Sequence, residues 1–104
     1  MGNRNEVIDR RKSPFVMVTK KVLEDESLKT SEKIIYSILC MYADNNTSEC
    51  WPSKKTLINK SGVSNRTLDN GLKVLESKTY IKVERRYKNN GGQLSNKYVL
   101  LDVN

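Results

Sequence analysis

The side chains of this sequence that could do chemistry are mainly cationic, and most of them lie in its second half. Lysine and arginine number 19 against 12 aspartate and glutamate residues, which gives a formal net charge of +7. Residues 53–97 carry eleven basic and three acidic side chains, whereas residues 13–52 carry four and six. A surface of this kind holds a polyanion through ion pairs and hydrogen bonds. A nucleic acid or an anionic membrane surface is therefore the expected kind of partner.

Side chains suited to catalysis are scarce. The sequence contains no histidine, so Ser/His/Asp and Cys/His pairs and the usual Cys/His zinc sites are missing. Cys40 and Cys50 are too few for a disulfide scaffold. Gly91-Gly92 is typical of a turn rather than of a nucleotide-binding loop. None of the five tyrosines has an evident activating base nearby in the sequence. We expect no enzyme activity, no metal and no organic cofactor.

Two short helices are predicted between residues 53 and 78, and they would position the basic side chains of this region. Leu57 and Ile58 give the first helix an apolar side. Leu68, Leu72 and Leu75 recur at spacings of four and three, which is one face of a second helix.

Small residues mark the ends of these two helices. Ser53 and Ser64 stand before the apolar runs, where a hydroxyl can accept a hydrogen bond from a free backbone N–H. Gly62 suits a left-handed turn between the helices. This arrangement is a helix-turn-helix, which presents its second helix to a DNA groove. The same pattern also occurs in helical domains that bind no nucleic acid, so it is the charge that favours DNA.

The segments before this pair predict an arm, a strand and a helix. Residues 1–14 are polar and basic, which predicts a flexible arm that lies either along DNA or in solvent. Residues 15–19 are apolar and β-branched, which is typical of an edge strand. The first helix of the core is predicted from about residue 30, with Thr30 or Ser31 as its N-cap. Its apolar face would consist of Ile34, Ile35, Ile38, Leu39 and Tyr42.

The pattern after the two helices is that of a β-hairpin. Ile81 and Val83 alternate with charged residues, as in a strand with one wet side. Residues 89–92 tolerate the positive φ of a hairpin turn, and residues 97–101 would form the partner strand. The expected fold class is α+β over residues 15–104. It would be a winged helix-turn-helix with a three-helix core, a small antiparallel sheet and a C-terminal β-hairpin wing.

Membrane and export signals are missing from the sequence. No run approaches the roughly 18 apolar residues that span a bilayer. The N-terminus carries charges where a signal peptide would be apolar. A cytoplasmic protein without a membrane partner is expected.

Several segments together resemble one protein family. They are Trp51-Pro52-Ser53, GVSNRTL at residues 62–68, LKVLE at residues 72–76, IKVERR at residues 81–86 and SNKY at residues 95–98. Their order resembles the winged helix-turn-helix domains of plasmid and phage replication-initiator and replisome-organiser proteins, over roughly residues 15–101. Thr79 departs from the pattern, because the family often has glycine there. Initiators of this type usually carry a second domain, so a fragment and a free-standing accessory protein both remain open.

The resemblance implies which residues contact DNA. The second helix would enter the major groove and offer Asn65, Arg66, Thr67, Asn70 and Lys73. The start of the preceding helix would hold phosphates through Ser53, Lys54, Lys55 and Thr56. Asparagine is suited to adenine and arginine to guanine.

The charge distribution favours the wing as an equal partner in DNA binding. Residues 64–78 have a net charge of +1, whereas residues 82–97 have a net charge of +4. Basic and amide side chains on a narrow hairpin can enter a minor groove. Our hypothesis is that the wing supplies much of the affinity, through Arg85, Arg86, Lys88, Asn89, Asn90 and Lys97.

The sequence thus predicts a protein that binds double-stranded DNA with some sequence preference. The resemblance implies that the protein is encoded on a plasmid or phage. Its role would be to mark an origin, of replication or of conjugative transfer, as an accessory to a relaxosome or replisome. A transcription repressor is the alternative, and a protein-interaction module is a further one. A protein partner on the same DNA is expected, and a homodimer remains open.

Overall fold

The computed structural model describes residues 15–101. This part of the chain forms an α+β fold, as the sequence predicts. Its elements in chain order are α1 (Lys20–Leu23), α2 (Thr30–Tyr42), β1 (Glu49–Cys50), α3 (Lys54–Ser61), α4 (Asn65–Ser77), β2 (Ile81–Tyr87) and β3 (Gln93–Leu100). The basic arm predicted for residues 1–14 lies outside the described residues.

The core forms around α2, and the predicted face of this helix is confirmed in part: Ile35 and Leu39 are buried, and Ile38 packs against the core. The buried side chains are Glu32, Ile35, Tyr36 and Leu39. Ile34 and Tyr42 are exposed, so the predicted face is wrong at both positions. A helix buries one stripe of about 100°, and the stripe centred on Ile35 and Leu39 leaves Ile34 on the outside.

The cap of α2 also differs from the prediction. The N-cap is Lys29, one residue before Thr30. The Lys29 backbone N–H donates a hydrogen bond to Oε1 of Glu32 at 2.8 Å. Because the carboxylate three residues ahead satisfies this donor, the helix begins without a hydroxyl cap.

Both helices of the predicted helix-turn-helix are confirmed, together with their caps. Oγ of Ser53 accepts a hydrogen bond from the Thr56 N–H at 3.0 Å, and α3 begins at the next residue. Oγ of Ser64 accepts one from the Thr67 N–H at 3.1 Å, and α4 begins in the same way. Between the helices, Gly62 has a φ of 76°, the left-handed conformation expected of it.

The sheet has the order β1-β3-β2, with both pairings antiparallel. The central strand is β3, and β1 and β2 are its two edges; on β1, Glu49 pairs with Val99 and Cys50 with Tyr98. The strand predicted for residues 15–19 is wrong. That segment joins no strand, and Phe15 and Met17 are 77% and 82% exposed. Apolar, β-branched residues form a strand only where a partner edge and a buried face are available, and β1 occupies this edge.

The wing is a hairpin of β2 and β3, as predicted, but β3 begins at Gln93 rather than at residue 97. The register changes along it, because Glu84 pairs with Lys97 whereas Arg86 pairs with Leu94. Arg85 alone therefore faces two residues of β3, which is a β-bulge.

Candidate nucleic-acid interface

The outer face of α4 carries three polar side chains at helical spacing. Its inner face, with Leu68, Gly71, Leu72 and Leu75, is buried in the core. Arg66, Asn70 and Lys73 follow one another at spacings of four and three on the opposite side, and all three are exposed. No carboxylate of residues 15–101 forms an ion pair with Arg66 or Lys73. These side chains are thus available to a ligand along one stripe of the helix.

The predicted hydroxyl residues have a structural role in the caps. In addition to the bonds to backbone N–H groups, Oγ of Ser53 lies 3.0 Å from Oγ1 of Thr56. The same distance separates the hydroxyls of Ser64 and Thr67. Both threonines are only half exposed. These hydroxyls therefore fix the amino ends of α3 and α4, whereas Lys55 and Asn65, which stand beside the caps, are exposed.

An ion pair joins the start of α3 to α4. Nζ of Lys54 lies 2.8 Å from a carboxylate oxygen of Asp69, and the two side chains are 47% and 43% exposed. Asp69 was not among the residues that the sequence predicts for the site. Its spacing of three from Arg66 and four from Lys73 is the signal that could have placed it on the same face.

The two predicted arginines of the wing are adjacent on β2, so they point to opposite faces of the strand and differ in their contacts. Nε of Arg86 donates a hydrogen bond to the carbonyl oxygen of Ser95 at 2.9 Å, and Arg86 is half-buried. Its guanidinium therefore stabilises the bulged strand. Arg85 is exposed, and no carboxylate of the described residues pairs with it. Arg85 is thus the available cation at this point of the wing.

The tip of the wing exposes Lys88, Asn89 and Asn90. Oδ1 of Asn90 accepts a hydrogen bond from the Gly92 N–H at 3.0 Å, which closes the turn. Gly91 in this turn has a φ of 89°, as the composition predicts. The tip thus presents one lysine and a polar turn.

Lys97, also predicted to bind DNA, lies in an ion cluster on the sheet. Its Nζ is 2.8 Å from Glu49 and 3.6 Å from Glu84, and its side chain is only 23% exposed. Glu84 also pairs with Lys82 at 3.3 Å. Hydrogen bonding to Glu49, followed by the charges of both carboxylates, raises the pKa of Lys97. Lys97 therefore links all three strands and is separate from the exposed cations.

A small notch lies between the start of α3 and β3 of the wing. It is lined by Lys54, Gln93, Leu94, Ser95, Asn96 and Tyr98. Burial is the main cause that raises the pKa of Tyr98, while a hydrogen bond with Asn96 lowers it. The charges of Asp69 and Arg85 also act on this pKa.

The described part of the chain meets neither the requirements of a metal site nor those of a membrane span. Within residues 15–101, no group of three or more His, Cys, Asp or Glu side chains could hold a metal ion. Over the same range, no helix has the length and apolar character required to cross a membrane. Burial raises the pKa of Cys40 and of Cys50 to about 11.

The fold defined by α2, α3, α4 and the β2–β3 wing is a winged helix-turn-helix. A family model described as a helix-turn-helix domain matches residues 26–81, more than half of the 104 residues. The chain belongs to this family, and its membership supports DNA binding. No curated protein matches the chain.

Two solved structures share the fold. One is the structure of a Rep–DNA complex, with 21% identity and a TM-score of 0.64 over 92% of this chain and 81% of that chain. The other is the N-terminal domain of a DNA-binding protein, with 21% identity and a TM-score of 0.63 over 92% of this chain and 80% of that chain. At this level of identity the likeness establishes the fold.

Proposed function

We propose that the protein binds double-stranded DNA with sequence preference, with α4 in the major groove and the wing on the adjacent backbone or minor groove. The observation that carries this proposal is the outer stripe of α4, where Arg66, Asn70 and Lys73 are exposed and project from a rigidly packed helix. A major groove admits one α-helix, and these side chains then reach base edges.

The three side chains have complementary recognition chemistry. An arginine can bond to the O6 and N7 atoms of guanine, and an asparagine to the N6 and N7 atoms of adenine. Lys73 is a flexible point charge, which suits a phosphate. Arg66 and Asn70 would therefore read bases, while Lys73 would add affinity.

Two further surfaces would hold the DNA backbone. At the start of α3, Lys55 is exposed beside the free N–H groups of the first turn, which attract phosphates. On the wing, Arg85 and Lys88 are exposed. Arginine on a narrow hairpin fits a narrow minor groove, where the negative potential is strongest.

The biological role we propose is to mark an origin, of replication or of conjugative transfer, as an accessory to other DNA-processing proteins on a plasmid or phage. The likeness in fold to a Rep–DNA complex supports replication as the setting. An accessory of this kind acts by recruiting or orienting a protein partner on the same DNA. Two half-sites in the bound DNA would indicate a symmetric dimer.

The experiment that tests DNA binding is selection from random duplexes, followed by salt titration on the best site and on a scrambled one. We expect a defined motif and a fall in log K with log salt of about 0.9 per phosphate contact. Equally weak binding to every sequence, lost at moderate salt, would contradict the proposal and favour a protein-interaction module.

The position of the selected motif tests the proposed role. Repeats of the motif beside an origin in the replicon that encodes the protein would support origin marking. A single site that overlaps a promoter would instead indicate a repressor. Co-purification of replication or transfer proteins with the protein on origin DNA, and their absence on promoter DNA, would separate these roles further.

A further inference from the structure

Residues 53–97 contain three carboxylates, and only one of them lies on the face that would meet DNA. Glu84 belongs to the ion cluster on the sheet, and Glu76 accepts a hydrogen bond from the Val83 N–H at 3.4 Å. Asp69 lies three residues after Arg66 and four before Lys73, within the exposed stripe of α4. A negative charge at this position opposes binding to any polyanion, so its presence there calls for a physical reason.

The contacts of Asp69 leave half of its carboxylate available. One oxygen pairs with Nζ of Lys54 at 2.8 Å. No donor within residues 15–101 is bonded to the other oxygen. Since an ionised carboxylate only accepts hydrogen bonds, this oxygen needs a donor when DNA excludes water from the surface.

Stability does not account for the pair. Both side chains are nearly half exposed, and ion pairs at such positions contribute little to folding. Lys54 does, however, neutralise Asp69 and fix its direction. It therefore allows the carboxylate to approach the DNA, whose phosphates would otherwise repel it.

We propose that Asp69 determines sequence specificity by accepting a hydrogen bond from an exocyclic amino group in the major groove, while Lys54 holds its carboxylate in position. This inference rests on the proposed function. The donors of this chemistry in the major groove are N4 of cytosine and N6 of adenine. Guanine and thymine present an acceptor oxygen there, which would leave the carboxylate desolvated and repelled. Asp69 thus penalises wrong sites more than it strengthens the right one.

The test compares Asp69→Ala with Glu26→Ala. Both variants remove one negative charge, but Glu26 is an exposed residue of the acidic turn after α1 and lies outside the proposed interface. Circular dichroism and thermal unfolding first establish that each variant is folded. Duplex selection and competition binding are then carried out on each variant and on the unaltered protein.

Asp69→Ala is expected to lose discrimination at one position of the motif, by roughly tenfold, and to bind scrambled DNA more tightly. Glu26→Ala should keep the motif unchanged. The base preferred at that position by the unaltered protein, cytosine or adenine, identifies the donor. An identical motif in Asp69→Ala overturns the inference while the proposed function stands. If the unaltered protein selects no motif, both fail.

The role of Lys54 is tested by Lys54→Met, with Lys55→Met as the matched control. Lys54→Met should weaken discrimination at the same position that Asp69→Ala affects, because the carboxylate is no longer oriented. Lys55→Met should lower affinity for all sequences equally and reduce the salt slope by about one phosphate contact. If both lysine variants change affinity uniformly, Lys54 is only a phosphate contact, and its positioning role is wrong.

Discussion

Any side chain at Gly71 would place its Cβ 2.6 Å from Cδ1 of Ile35, so α4 packs directly on α2 without room for one methyl group. Ile35 is 1% exposed, and its side chain has little freedom to move away. This contact sets the position of α4, and therefore of its outer stripe, relative to the core.

A double-mutant cycle tests this close contact. Gly71→Ala should lower the free energy of unfolding by about 1–3 kcal/mol through overpacking. Ile35→Val removes the Cδ1 atom itself. In that background Gly71→Ala should be neutral or stabilising, by up to about 1 kcal/mol, because alanine favours the helix. Urea denaturation measures all four proteins, and an equal effect of Gly71→Ala in both backgrounds would rule out the clash.

The carboxyl end of α4 predicts a stabilising substitution. Thr79 has a φ of 63°, and its N–H and that of Tyr80 donate to the carbonyls of Glu76 and Leu75, both at 3.0 Å. This is a Schellman motif, whose left-handed residue is usually glycine. Thr79→Gly should therefore raise the free energy of unfolding by about 1 kcal/mol, since a β-branched residue is strained there. Ser77→Gly, inside the helix, is the control and should lower it.

The two arginines of the wing should respond differently to substitution. Arg85→Ala should weaken DNA binding and reduce the salt slope by about one contact, without a change in stability. Arg86→Ala should lower the free energy of unfolding by about 1 kcal/mol, because the carbonyl of Ser95 loses its donor. Lys97→Met should affect DNA affinity less than Arg85→Ala. Unchanged DNA affinity in Arg85→Ala would show that the wing is not part of the interface.

Arg66 should carry base specificity. Arg66→Ala is expected to reduce affinity for the selected site by about 1–3 kcal/mol and to relax the preference at one position, where guanine is expected. Lys73→Ala should instead lower the affinity for all DNA sequences equally. Competition binding against single-base variants of the site measures both effects. A uniform loss in Arg66→Ala would assign Arg66 to the phosphate backbone.

The contact between Asp25 and Tyr80 predicts a dependence of stability on pH. Hydrogen bonds from the Ser27 hydroxyl and the Tyr80 hydroxyl, the latter at 2.7 Å, lower the pKa of Asp25 from 3.8 to about 2. Because the folded pKa is depressed, the stabilisation is present above pH 3.8 and is lost as the pH falls toward about 2. NMR titration of the Asp25 carboxyl should show this pKa, and Tyr80→Phe should raise it. A wild-type value near 3.8 would contradict the contact.

The sequence by itself determined the elements whose signals are local. Ser53 and Ser64 cap helices because a hydroxyl bonds an N–H three residues ahead, and Gly62 turns the chain because it lacks a Cβ. The spacing of Leu68, Leu72 and Leu75 assigned the buried face of α4, and thereby its outer stripe. The departure noted at Thr79 also has a local cause, since the position is left-handed.

Only the tertiary structure decided which cations are available and which strands pair. Arg86 and Lys97 look like Arg85 in the sequence. In the fold, however, Arg86 bonds to the Ser95 carbonyl at the β-bulge, and Lys97 pairs with Glu49 of β1. The strand predicted for residues 15–19 failed, and β1 formed instead, because pairing depends on an edge supplied by β3 about fifty residues later. Asp69 acquired its partner Lys54 only when α3 and α4 packed together. A pattern of residue types records the charge of each side chain, whereas its partner depends on which distant segment the fold brings into contact.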